Sequence, residues 1–124
     1  MNDDFLTDFP EEEDAPPEAR PMIFVPGGQL SDIPAGRSRA IYVKSLRIAV
    51  FNVGGRLLAF KDRCPHMGAY LSDGRLVGET IVCGWHGWTF ESATGQCLNK
   101  DWAKVETYRV RVTGDRFEIE VPAD

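Results

Sequence analysis

The two histidines of this chain each stand within three residues of a cysteine, as Cys64-Pro65-His66 and Cys83-Gly84-Trp85-His86. Sixteen residues separate His66 from Cys83. A lone histidine is usually a packing or surface residue, but two Cys/His pairs that use every histidine of the chain are hard to assign to packing. Two thiolates and two imidazoles suit zinc or an iron–sulfur cluster. Structural zinc fingers normally group two cysteines in one pair and two histidines in the other. Here each pair is mixed. A mixed pair from each of two loops can divide its ligands between two metals, with the cysteines on one iron and the histidines on the other.

The elements that must position these residues read as β. Met22–Val25 is short and apolar and fits an edge strand; Ala40–Val43 and Arg47–Val53 are rich in β-branched and aromatic residues. Gly54-Gly55 joins Arg47–Val53 to Arg56–Lys61 as the two-residue turn of a tight hairpin. Near the C-terminus Val105–Val112 alternates apolar and polar residues. After a turn at Gly114-Asp115, Arg116–Val121 does the same. This period of two predicts half-buried antiparallel strands. Between the hairpins, residues 62–102 are rich in Gly, Trp, Cys and His, with short strand-like pieces at Thr80–Val82, Thr89–Glu91 and Gln96–Leu98. No segment sustains a helical period. The expected fold is therefore all-β, with the chemistry on loops inserted into the frame.

Length and charge set the remaining bounds. A chain of 124 residues supports one modest core, and 43% hydrophobic content is ordinary for a soluble protein. No run approaches the roughly 18 apolar residues of a membrane span. The acidic start MNDDFLTDFPEEED lacks the basic and apolar stretches of a secretory signal, so a cytoplasmic protein away from membranes is expected. Three cysteines, an odd number, fit a reducing compartment better than a disulfide framework. The net charge of −5 is uneven, since residues 1–20 carry eight acids and one base and the remainder is nearly neutral. With Pro10, Pro16 and Pro17, that tail cannot offset its ordering entropy and is expected to be disordered. Phe5, Leu6 and Phe9 could form a docking motif within it, or the tail could simply solubilise. The folded domain is expected over 21–124. No basic cluster with interleaved aromatics points to nucleic acid.

The segment CPHMGAYLSDGRLVGETIVCGWHGWTF resembles the motif of Rieske-type [2Fe–2S] proteins, C-x-H followed by C-x-x-H. Gly68, Gly74 and Gly87 match, as does the Thr94-Gly95 turn. The resemblance covers about residues 22–121, including the flanking hairpins. It implies a small antiparallel β-sandwich with an inserted cluster-binding subdomain, about 62–102, whose two loops meet at one tip. It also implies one [2Fe–2S] cluster held by Cys64, His66, Cys83 and His86, with the histidines at the surface and the cysteines deeper. Gly68 and Gly87 would let backbone amides approach the sulfurs. Cys97 matches no ligand position and reads as a small buried hydrophobe beside Leu98. Tyr70, Trp85 and Trp88 could frame an apolar docking rim, Trp85 being the one expected at the surface, or Trp88 could be core.

Replacing two thiolates by neutral imidazoles raises the potential from about −400 mV for all-Cys plant-type clusters to roughly −150 to +300 mV. Rieske proteins of respiratory cytochrome bc complexes add a disulfide between the loops and Ser and Tyr hydroxyls on the second. The positions corresponding to the disulfide cysteines hold Ala69 and Trp85; those corresponding to Ser and Tyr hold Trp88 and Phe90. The absent hydroxyls imply a potential near the low end, around −150 mV.

A Rieske oxygenase needs a second iron bound by two histidines and a carboxylate, and both histidines here are already used. The resemblance therefore implies an electron carrier, not an enzyme: a monomeric ferredoxin between a flavin-dependent reductase and a ring-hydroxylating terminal oxygenase. The second loop, CGWHGWTF, is closer to oxygenase large subunits than to many ferredoxins, and Gly84 stands where proline is common. The small Rieske subunit of an assimilatory nitrite reductase is an alternative. So is a regulatory or redox-sensing module with a structural metal site.

Overall fold

A computed structural model describes residues 21–65, 68–84 and 87–123; the acidic tail expected to be disordered lies outside the described residues. The described chain forms ten strands in three antiparallel sheets and, among the described residues, no α-helix. The strands are β1 Met22–Gln29, β2 Ser38–Val43, β3 Leu46–Val53, β4 Arg56–Lys61, β5 Arg75–Val77, β6 Thr80–Val82, β7 Thr89–Glu91, β8 Thr107–Tyr108, β9 Val110–Thr113 and β10 Arg116–Pro122. Short 3-10 turns occupy Leu30–Asp32 and Leu71–Asp73. The sheet orders are β1-β10-β9, β2-β3-β4-β8 and β5-β6-β7.

The β3 sequence explains the layering. Ile48, Ala49, Val50 and Phe51 are buried in succession, which a strand with one solvated face would not tolerate. Ile48 and Val50 join Leu57 and Ala59 of β4 and Phe117, Ile119 and Val121 of β10 in the core between the two larger sheets. Ala49 and Phe51 point the other way with Phe60, into a second core shared with Cys64, Leu71, Ile81, Cys83 and Phe90. One strand thus belongs to the sandwich and to the floor beneath the inserted loops. Gly54 and Gly55, at φ +62° and +96°, make the β3–β4 turn as the sequence predicts.

Three expectations need correction. Val105–Val112 is not one strand: β8 pairs with β4, and after Arg109 the chain changes sheets so that β9 pairs with β10. Its alternation serves two surfaces in turn, and Val112 is exposed. Gln96–Leu98 makes only the single bridges Phe90 to Cys97 and Gln96 to Lys104, because the Asn99 side chain accepts the Thr89 N–H at 2.7 Å, where a ladder would continue. The edge strand at Met22 runs on to Gln29 past a bulge between Pro26 and Gly28. β5 carried no sequence signal, being three residues between Gly74 and Gly78.

Candidate functional site

The two Cys/His loops follow strands of different sheets and are closed alike. After β4, the Cys64 N–H donates to the Ala69 carbonyl at 2.6 Å, and the Gly68 N–H returns to the Cys64 carbonyl at 2.9 Å. After β6, the Cys83 N–H donates to the Trp88 carbonyl at 2.7 Å. Each loop thus closes from its cysteine to the residue five positions on. In each, the fourth position on is a glycine in the left-handed region, Gly68 at φ +75° and Gly87 at +68°. The glycines are therefore needed first for their backbone conformation; a Cβ on Gly87 would meet nothing within 4 Å.

Cys64 and Cys83 are 0% and 1% exposed and share one core with Leu71, Ile81 and Phe90. The structure therefore brings both thiols under the same pair of loops, and neither is in a disulfide. His66 and His86 lie outside the described residues, together with Met67 and Trp85. Cys97 is buried at 3% in the same core, the small-hydrophobe role its position suggested. Its neighbour Leu98 is largely exposed.

The surroundings of the loops are partly aromatic. Tyr70 is exposed. Trp88 packs against the core while its ring meets Trp102 edge to face, with centroids 5.8 Å apart. Trp88 is thus both core and rim. Trp102, which sequence reasoning did not single out, is the more exposed of the pair. At the positions of the hydroxyl donors, Phe90 is fully buried and Trp88 half-buried. The Thr89 hydroxyl donates to Asn99 Oδ1 at 3.0 Å.

Sequence reasoning also missed a charged group under the first loop. Asp62 is buried, and its carboxylate accepts from the Ser72 N–H at 2.8 Å, the Ser72 hydroxyl at 2.6 Å and Arg47 Nε at 2.8 Å. Arg47 also donates to the Tyr42 hydroxyl at 3.3 Å and lies 3.8 Å over the Tyr70 ring. The Tyr42 hydrogen bond, then Asp62, raise Arg47 above the ordinary arginine value against opposing desolvation. It is charged at any working pH. The only hint was an acid two residues before a candidate ligand; nothing marked Arg47.

The donor set fits an iron–sulfur group: two buried thiols on matched loops, each loop carrying one of the chain's two histidines. The sequence model of the family described as Rieske [2Fe–2S] domain matches residues 24–109. The ferredoxin component of the naphthalene 1,2-dioxygenase system of Pseudomonas aeruginosa is 32% identical over 93 residues, 74% of this chain and 89% of its own. The 3-phenylpropionate/cinnamic acid dioxygenase ferredoxin subunit of Escherichia coli (strain K12) is 36% identical over 95 residues, 75% of this chain and 89% of its own. Among solved structures, the Sphingomonas yanoikuyae B1 ferredoxin superposes with a TM-score of 0.73 at 28% identity, over 81% of this chain and all of that one. A ferredoxin in the complex of reduced oxygenase and oxidized ferredoxin of carbazole 1,9a-dioxygenase gives 0.70 at 29%, over 77% and 99%. Among the described residues, no helix is long and apolar enough to cross a membrane.

Proposed function

The chain belongs to the Rieske [2Fe–2S] domain family, and from that premise we propose that it is a one-electron carrier whose cluster is held by Cys64, His66, Cys83 and His86. When bound, the cluster supplies a site that takes up and releases a single electron. The observation that carries the ligand assignment is the matched closure of the two loops, which buries Cys64 and Cys83 together in one core. A buried thiol is kept from water and from oxidants. Two imidazoles in place of thiolates leave less negative charge beside the added electron. We take residues 21–124 as one domain, with about 62–102 as the cluster-binding part and 1–20 as an acidic tail.

Its redox partners, in this reading, are a flavin-dependent reductase and a terminal oxygenase of the ring-hydroxylating type. Support comes from the relatives, which are ferredoxin components of dioxygenase systems, and from the carbazole 1,9a-dioxygenase ferredoxin, whose structure is a complex with its oxygenase. The protein acts as a monomer in the cytoplasm, where three cysteines, none of them in a disulfide, stay reduced.

The test is reconstitution. Purified chain, a flavin reductase, NADH and a ring-hydroxylating oxygenase are combined, and hydroxylated product is measured with and without the chain. Product that depends on the chain supports the reading. Failure with every such oxygenase, together with nitrite consumption when the chain is added to a nitrite reductase large subunit, rejects it.

A further inference from the structure

We propose that Asp62 and Arg47 are positioning residues for the cluster, stapling the two ends of the first ligand loop to each other and to β3. This rests on the assignment of Cys64 as a ligand. Asp62 lies two residues before Cys64, and Ser72 lies beyond the loop in the 3-10 turn Leu71–Asp73. The Asp62 side chain is 0% exposed, and both its oxygens are engaged, Oδ1 by the Ser72 N–H and Oδ2 by the Ser72 hydroxyl and Arg47 Nε. The staple therefore closes a ring over residues 62–72, which contains Cys64 and His66.

Arg47 anchors that ring from outside. Its backbone carbonyl accepts the Asp62 N–H at 3.0 Å while its side chain holds the Asp62 carboxylate, so the two residues are joined twice. The guanidinium plane covers Tyr70, which directly follows the residue whose carbonyl receives the Cys64 N–H. Both ends of the loop are thereby referred to one residue of the sandwich. A carboxylate is costly to bury, and charge-assisted bonds of this kind are directional. A sandwich needs no such group to fold, but a loop that must hold thiolate and imidazole in fixed relation gains from one. The second loop is held differently, through the neutral Asn99 amide at an exposed position.

The experiment follows iron release from reduced holoprotein into bathophenanthroline, read as the coloured ferrous chelate, with the reduced EPR spectrum recorded alongside. Asp62→Asn keeps the shape and one acceptor but loses the charge facing Arg47. Iron release is expected to accelerate roughly tenfold or more, on the scale of the roughly tenfold to hundredfold loss of metal affinity that follows removal of outer-shell support, and the EPR signal to broaden. Ile119→Val, in the core that holds no cysteine, serves as a control for destabilisation alone. The proposal is overturned if Asp62→Asn releases iron no faster than wild type, or no faster than a control with the same loss of Tm.

Should Asp62→Asn fail to fold, Ser72→Ala and Arg47→Met carry the test. Each removes one arm of the staple and should speed release severalfold; unchanged release in both overturns the proposal. Cys64→Ala separates this question from the ligand assignment. Full retention of a cluster in Cys64→Ala rejects the assignment, and the proposal with it, whatever the Asp62 variant does.

Discussion

Gly74 lies between the two candidate ligand loops, where one added methyl group should be felt at both. A Cβ built there would stand 2.1 Å from the Val82 carbonyl oxygen and 3.2 Å from that of Leu71. Carbon–oxygen contacts settle near ~3.3 Å, so Val82 would have to retreat by about 1 Å. Both obstacles are backbone, and no rotamer change relieves them. Arg75 pairs with Val82 across β5 and β6, and Cys83 follows directly. Overpacking of this kind costs about 1–3 kcal/mol, or a Tm lower by roughly 4–20 °C for a domain near 100 residues. Gly74→Ala should therefore lower both Tm, followed by circular dichroism, and iron per chain, followed colorimetrically. Gly78→Ala is the comparison. Its backbone is at φ +61° with nothing within 4 Å, so it should cost about 1–2 kcal/mol of strain without depleting iron. A Gly74→Ala protein with full iron and a Tm within about 1 °C of wild type would refute the steric argument.

Two further expectations follow from named side chains. With Phe90 and Trp88 in place of hydroxyl donors and the Thr89 hydroxyl given to Asn99, redox titration should place the midpoint at roughly −150 mV, and a value above about +100 mV would contradict the account. Burial, helped by Glu106, pushes the Tyr108 hydroxyl up to about 12 from 10.0. Its folded pKa is raised, so its contribution is fully present below pH 10 and is lost as pH climbs toward 12. Thermal melts between those pH values should fall more steeply for wild type than for Tyr108→Phe; parallel curves would remove the effect.

The parts legible in the sequence were those written in local chemistry. The Gly54-Gly55 hairpin and the alternation of β10 appear where they were expected, because turn residues and a period of two act within a few positions. Both cysteines of the Cys/His pairs lie in one core, while the histidines fall outside the described residues. What sequence reasoning missed depends on distant partners. The split at Arg109 is set by two sheets competing for one segment. The loss of a strand at Gln96–Leu98 is set by one asparagine side chain. The Asp62–Arg47 pair spans 15 positions, and neither residue has a pattern that announces it. The exposed Trp102 was overlooked because aromatic composition alone does not separate rim from core.

The central claim is that two thiolates and two imidazoles of this chain share one [2Fe–2S] cluster. EPR of the dithionite-reduced protein with nitrogen hyperfine detection, alongside iron and sulfide analysis, tests it most directly. Two iron and two sulfide per chain are expected, with a rhombic signal of low average g and coupling from two coordinating nitrogens that is lost when His66 and His86 are replaced. A colourless zinc protein, or a reduced cluster without nitrogen coupling, would contradict it.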